Sequence, residues 1–273
     1  MFGGEEDFNM CRLLSGSEGT LAFITEITLQ LDDLPPQYAA MVVTHYKTLE
    51  DCLSDVAPVM QHQLHLCEMM DKVILDCTKN NRTQLANRFF VEGDPEALLM
   101  LQVSAHSEKE LGQLVDELLG TIKKSGLSYA NPVLKGKDIN RAIELRKSGL
   151  GLLGNIVGDM KAVACIEDTA VTVDDLANYI NEFTALMKRY NQNAVYYAHA
   201  GAGELHLRPI LDLKKSEDVV LFRKITTETA ELVKKYKGSF SGEHGDGIVR
   251  AEFIPLMIGD KNYDLLRRIK KTF

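Results

Sequence analysis

The chain of 273 residues has no tryptophan, no Cys-x-x-Cys pair, no long uninterrupted apolar run and no excess of positive charge. The missing tryptophan excludes nothing, but the other absences do. Without about 18 consecutive apolar residues there is no candidate transmembrane helix. The cysteines, Cys11, Cys52, Cys67, Cys77 and Cys165, are odd in number and scattered. They predict neither a disulfide framework nor an iron-sulfur cluster and read as reduced thiols. A net charge of -8 offers no global field to draw a phosphate backbone, which argues against nucleic-acid binding. The opening Met1-Phe-Gly-Gly-Glu-Glu-Asp7 shows neither the basic head nor the apolar core of a signal peptide, so a cytoplasmic location is expected. What is present is 45% hydrophobic residues, enough for one large domain or two smaller ones.

Strand-like and helix-like stretches alternate. Thr20–Leu31 is rich in β-branched and apolar residues and predicts a strand, and Pro35-Pro36 closes it, marking a boundary. Beyond it, strands are predicted at 38–45, 64–70, 97–105, 127–130, 162–166, 194–199 and 205–211. Helices are predicted at 48–61, 107–124, 137–150, 173–190 and 216–236. Thr48 and Ser107 are candidate N-caps, the latter with Glu110 in a capping box. The 107–124 helix places Leu111, Leu114, Val115, Leu118, Leu119 and Ile122 on one face. The alternation predicts an α+β fold, ferredoxin-like and duplicated, with a mainly antiparallel sheet and helices packed on one face. The related halves would run from about Tyr38 to Ala130 and from Ala162 to Leu211.

Two glycine-rich segments, His199-Ala-Gly-Ala-Gly-Glu-Leu-His206 and Ser241-Gly-Glu-His244-Gly-Asp-Gly247, gather three of the seven histidines. Imidazole nitrogens with one carboxylate suit a divalent transition metal such as zinc, and a catalytic site leaves one position open. A hairpin could bring His199 and His206 to one side, with Glu243 as a negative third ligand. His244 could face the same cavity as a proton acceptor. The glycines would give the ligand room. His45, His62, His65 and His106 are read as structural.

Gly16-Ser-Glu-Gly-Thr-Leu-Ala-Phe-Ile-Thr-Glu26 resembles the closing segment of the FAD-binding domain of vanillyl-alcohol-oxidase type flavoproteins. His199-x6-His206 and Gly242-Glu-His-Gly245 resemble the two metal-site motifs of the FAD-linked oxidase C-terminal domain. That domain occurs in glycolate oxidase, D-lactate dehydrogenase and D-2-hydroxyglutarate dehydrogenase relatives. Glu167-Asp168-Thr-Ala-Val resembles its short acidic strand. The resemblance implies residues 1–35 as the end of an FAD-binding domain and 36–273 as the substrate- and metal-binding domain. It implies a flavin-dependent enzyme oxidising a D-2-hydroxy acid to a 2-oxo acid, with hydride passing to FAD. His199, His206 and Glu243 would hold a divalent metal, usually zinc, and His244 would take the hydroxyl proton. Arg146, Lys161 and Arg208 would bind substrate carboxylates. Ser17, Gly19, Thr20 and Ile24 would be partial flavin contacts.

The commoner motif reads His-x-Gly-Asp-Gly-Asn-x-His-x-Asn, whereas Ala202, Glu204 and Arg208 stand here at three of its positions. Arg208 would favour a second substrate carboxylate. The continuation to Arg250 resembles long proteins with an appended iron-sulfur module, which would be the electron acceptor. The resemblance also implies a piece of a longer polypeptide that by itself binds little FAD and does not turn over. Two other readings fit the same residues. One is a metal-dependent hydrolase with His244 as base, the other a non-catalytic cap or assembly module.

Overall fold

The computed structural model describes residues 9–79, 81–154 and 156–273, without the side chain of Leu150. The expectation placed on Met1–Asp7 lies outside them. The chain divides into two compact units, Met1–Leu34 with Ile254–Phe273, and Pro35–Phe253. In chain order the elements open with α1 (Met10–Leu14), β1 (Tyr38–Tyr46), α2 (Leu49–Val59), β2 (Leu66–Asp71), α3 (Lys72–Lys79) and α4 (Arg82–Leu85). There follow β3 (Ala97–Ala105), α5 (Glu108–Ser125), β4 (Val133–Lys135), α6 (Lys137–Leu153), β5 (Lys161–Ala162), β6 (Asp168–Ala170) and α7 (Leu176–Arg189). The rest are β7 (Ala194–Ala198), β8 (Glu204–Leu211), α8 (Ser216–Lys235), α9 (Gly247–Arg250), α10 (Ile254–Ile258) and α11 (Asp260–Thr272).

Local chemistry explains several boundaries. The Thr48 hydroxyl accepts from the Asp51 N–H at 3.0 Å and starts α2, which ends one residue after Pro58. Ser107 accepts from the Glu110 N–H at 3.2 Å, while Glu110 reaches back to the His106 N–H rather than to that of the cap. Gly126, at φ +67°, closes α5 in the left-handed conformation. The expected strand at 127–130 is displaced to β4, because Ala130 makes only an isolated bridge to His45 and Pro132 follows. Helix α3 was not expected from the sequence.

All strand pairs are antiparallel, in the order β4-β1-β3-β2-β7-β8-β5, with β6 also on β8. The first half, β1-α2-β2-β3-α5-β4, has spatial order 4-1-3-2. The second, β6-α7-β7-β8-α8 with Ser239 bridging Ala170, repeats it, its fourth strand reduced to that one bridge. The halves join through β2 and β7. The α+β, duplicated ferredoxin-like design is therefore present. Helices α5, α2, α7 and α8 form a continuous layer on one face. Helices α3 and α6 add cover to the other face of the first half, where Ile74, Leu75, Ile139, Ala142 and Leu145 pack on Met41, Val43, Met70, Leu98 and Met100.

The unit that contains residues 9–34 corrects one expectation. Residues 21–36 form no regular strand, and Phe23, Ile27, Leu29 and Leu31 are exposed. A strand needs a partner's backbone to satisfy its N–H and C=O groups, and no described strand pairs with this segment.

Candidate metal and substrate site

The site lies on the sheet face opposite the continuous helix layer. Side chains alternate between faces, and residues in register share one. Met70 pairs with Tyr197, Tyr197 with His206, and His206 with Asp168, so these four make one row across β2, β7, β8 and β6. Glu68 and Arg208, each two residues from a member of that row, sit on the same face. The chain then turns at Ala198, whose φ of +117° is unusual for an L-residue, and His199 follows directly.

His199, His206 and Glu243 each place a ligand-type atom within 4.8 Å of the others. His199 Nε2 is 3.2 Å and His206 Nε2 3.9 Å from Glu243 Oε1. Ligand atoms around a tetrahedral zinc lie about 3.3 Å apart, so the three suit such an ion with little adjustment. His244 Nε2 is 3.2 Å from the same Glu243 oxygen, and its ring lies 5.1 Å from that of His206. The hydrogen bond to Glu68 raises the pKa of His199, and Glu68 lies 2.7 Å from its Nδ1. Burial, with the neighbouring His244 and His199 charges, pushes His206 down to about 4. His206 is therefore neutral near pH 7, as a ligand imidazole must be.

Asp168 holds the loop that carries Glu243 and His244. Its Oδ2 accepts from the N–H groups of Glu243 at 2.8 Å and His244 at 2.7 Å, and its side chain also accepts from the Ser241 hydroxyl. Arg250 donates to Asp168 Oδ1 at 2.5 Å and to the Gly245 carbonyl at 2.7 Å. Burial alone would raise the Asp168 pKa, but these N–H bonds and the Arg250 charge outweigh it and hold it at about 2. Gly203 and Gly242, one in each motif, make room for protein atoms rather than for a ligand. A Cβ on Gly203 would lie 1.9 Å from the Val171 carbonyl oxygen, and one on Gly242 2.4 Å from Glu204 Oε2.

Arg146, on α6, joins the cluster through Glu68, its Nη2 2.7 Å from Glu68 Oε2. Arg208 Nη2 is paired with Glu167 Oε1. Arg146 Nε and Nη2, Arg208 Nε and the Tyr197 hydroxyl are nevertheless buried without a hydrogen-bond partner among the described residues, as is His206 Nδ1. Glu68 Oε2, Glu167 Oε2 and Glu204 Oε1 are in the same state. Buried polar atoms are rarely left so, which makes this a candidate place for a ligand or ordered water. Burial pushes the Tyr197 phenol up to about 12, with the Arg208 and Arg146 charges within electrostatic reach of it. Lys161 does not join them. It is exposed on β5 and gives its ammonium to the Ile156 carbonyl at 2.5 Å. Ser17, Gly19, Thr20 and Ile24 belong to the other unit. Ser17, Gly19 and Ile24 line a hollow of about 500 Å³ there, and Thr20 bonds back to the Ser17 carbonyl.

Glu68 and Tyr197 were missed by sequence reasoning, and Asp168 and Arg250 were noted without a role. Glu68 had left a signal, being a lone acid inside the apolar stretch Leu64–Met70. The four histidines read as structural lie elsewhere. His45, for example, is buried, with Nδ1 3.3 Å from the Ala130 carbonyl and Nε2 accepting from the Glu92 N–H.

Residues 35–273 match the family of FAD linked oxidases, C-terminal domain. The chain is 34% identical over 280 residues to a D-2-hydroxyglutarate dehydrogenase of Haemophilus influenzae, a match covering 98% of this chain and 27% of that protein. To the D-2-hydroxyglutarate dehydrogenase of Escherichia coli it is 31% identical, with the same coverage of each chain. A D-lactate dehydrogenase of Anaerostipes hadrus is 25% identical, covering 97% of this chain and 56% of the other. Among solved structures, 4-ethylphenol oxidase from Gulosibacter chungangensis aligns with a TM-score of 0.58 at 11% identity, over 89% of this chain and 52% of that one. Alkyldihydroxyacetonephosphate synthase aligns with the same score at 14% identity, over 97% and 48%. The structural likenesses show a shared fold. The chain belongs to the FAD-linked oxidase C-terminal family and spans about a quarter of the length of the D-2-hydroxyglutarate dehydrogenases it matches.

Proposed function

We propose that this chain is the substrate- and metal-binding part of a longer flavin-dependent dehydrogenase that oxidises a D-2-hydroxy acid to the 2-oxo acid. The observation that carries the proposal is the convergence of His199, His206, Glu243 and His244 beside buried guanidinium nitrogens that lack acceptors. When bound, FAD takes the hydride from the substrate's C2, and a divalent metal, zinc by its ligand set, lowers the pKa of the substrate hydroxyl. His199 Nε2, His206 and Glu243 hold that metal. His244, beside the shared Glu243 oxygen, takes the hydroxyl proton. Arg146 offers unpaired N–H groups to the substrate's 1-carboxylate, and planar guanidinium suits two-point contact.

Arg208 and the Tyr197 hydroxyl are assigned to a second carboxylate, which favours a dicarboxylic substrate. The names of the two bacterial D-2-hydroxyglutarate dehydrogenases support that assignment. Residues 1–35, with Ser17, Gly19, Thr20 and Ile24, close an FAD-binding domain, and 36–273 form the present one. An iron-sulfur module of the longer protein is the proposed electron acceptor, and the Haemophilus relative extends far enough beyond the matched segment to contain one. A cytoplasmic location is proposed; no helix among the described residues is long and apolar enough to cross a membrane. No observation favours the hydrolase or the cap.

The test is anaerobic bleaching of FAD in the flavoprotein that contains this segment, with a panel of D- and L-2-hydroxy acids, with and without a chelator. Bleaching by D-acids alone, abolished by the chelator and restored by Zn²⁺, is expected. Bleaching by no D-acid overturns the activity, and bleaching indifferent to the chelator overturns the metal. The isolated chain is expected to be colourless after purification.

A further inference from the structure

We infer that Glu68 is a positioning residue, one carboxylate that sets the His199 ring for metal binding through one oxygen and holds the Arg146 guanidinium through the other. Its Oε1 is 2.7 Å from His199 Nδ1 and its Oε2 is 2.7 Å from Arg146 Nη2. The place is rigid. Strand β2 is paired on both sides, Glu68 with Met100 of β3 and Met70 with Tyr197 of β7, so Glu68 cannot slide without moving the sheet. Its side chain is only 13% exposed.

A neutral imidazole carries one N–H. When Nδ1–H donates to Glu68, the lone pair is left on Nε2, the atom that faces Glu243 at 3.2 Å. A carboxylate behind a ligand imidazole both fixes this tautomer and increases its basicity. The second contact has a different character. It is an ion pair without aligned hydrogen-bond geometry, so Arg146 Nε and Nη2 keep their donor capacity while the guanidinium is held in place. Metal ligand and carboxylate clamp therefore share one anchor. Disturbing the anchor affects both, and disturbing the clamp is felt at the metal.

This inference rests on the metal reading proposed above, and the experiment separates the two. Zn²⁺ affinity of the full chain is measured by competition with a chromophoric chelator for the wild type, Glu68→Gln, Arg146→Met and the double variant. Glu68→Gln is expected to weaken Zn²⁺ binding by about 10- to 100-fold. Its effect and that of Arg146→Met should be non-additive by roughly threefold or more. In parallel, nitrogen-15 NMR of the metal-free chain at alkaline pH should show His199 as the Nδ1–H tautomer, lost in Glu68→Ala. If the wild type binds no Zn²⁺, the metal reading fails while the tautomer still decides on Glu68. Zn²⁺ binding by the wild type with an unchanged affinity in Glu68→Gln, or an unchanged tautomer in Glu68→Ala, overturns the inference. Glu68→Gln is nearly isosteric, so the affinity measurement stands even if Glu68→Ala does not fold.

Discussion

The two halves of the sheet share one strand order but are completed differently. In the first, β1 pairs with β3 over nine residues, from Tyr38 with Ala105 to Tyr46 with Ala97, and most of these side chains are apolar and buried. In the second, β6 is three residues long and its outer neighbour is a single bridge at Ser239. Beyond that bridge the chain becomes the loop bearing Glu243 and His244; the Asp168 carbonyl takes the Gly242 N–H at 2.7 Å, and its side chain takes those of Glu243 and His244. The same topology thus gives a packed scaffold where its ladder is complete and a polar site where the ladder stops. A loop can offer two side chains to one centre, whereas adjacent residues of a strand point to opposite faces.

The widest test of this contrast is Asp168→Ala. It leaves the buried Arg250 charge unpaired, a kind of loss that costs about 3–5 kcal/mol, and it frees the loop. Urea denaturation should show that loss, and Zn²⁺ titration of the surviving folded protein should show no tight site. Retained Zn²⁺ affinity would mean that the loop does not depend on Asp168. Leu99→Ala, in the fully buried centre of β3, is the matching change in the first half. It should cost about 2–5 kcal/mol yet leave Zn²⁺ affinity as it was. A parallel loss of affinity would show that the halves are not separable.

Two buried carboxylates, one in each half, should respond to pH with opposite signs. Asp168 is held at about 2, so its contribution, about 2 kcal/mol, is complete above pH 4 and lost as pH falls from about 4 to 2. Asp71, which accepts from the N–H groups of Ile74 at 3.0 Å and Tyr196 at 2.8 Å, has no arginine partner among the described residues, and burial pushes it up to about 7. Its contribution is complete below about pH 4 and lost as pH rises towards and past 7. Urea midpoints measured from pH 2 to 8 should therefore flatten at the acid end in Asp168→Asn and at the neutral end in Asp71→Asn. Flattening at the wrong end in either variant would break the assignment. The smallest effect is expected at the edge of the site, where Ala198→Gly relieves the positive φ but loses a buried methyl and adds chain entropy. Stability should stay within about 1 kcal/mol of the wild type, while a larger drop would show that the Ala198 methyl packs more tightly than its strain costs.

Much of the scaffold was legible because its signals are local. Caps at Thr48 and Ser107, the apolar spacing along α5 and the β-rich segments 38–45, 97–105 and 205–211 all recur as elements, since each depends on neighbours within a turn or a strand. The apolar pattern of Thr20–Leu31 misled for the same reason, because a strand pattern does not supply the partner that makes a strand. At the site, His199, His206 and Glu243 announced themselves by residue type. Lys161 was a candidate by its charge, but β5 leaves it at the Ile156 carbonyl. Glu68 could not be assigned, since its two partners lie on α6 and beyond β7: the β2–β7 pairing brings His199 to it, and the packing of α6 on the first half of the sheet brings Arg146.

Residue types and their short-range spacing were sufficient to single out His199, His206 and Glu243 as candidate ligands and to indicate an α+β scaffold, because side-chain chemistry and local periodicity are properties of the chain itself. Which carboxylate stands behind His199, which arginine reaches the site, and that Asp168 rather than a strand holds the Glu243–His244 loop were settled by tertiary structure. These depend on the register between β2, β7, β8 and β6, where burial makes each unpaired polar group costly enough to choose its partner across the sheet rather than along the sequence.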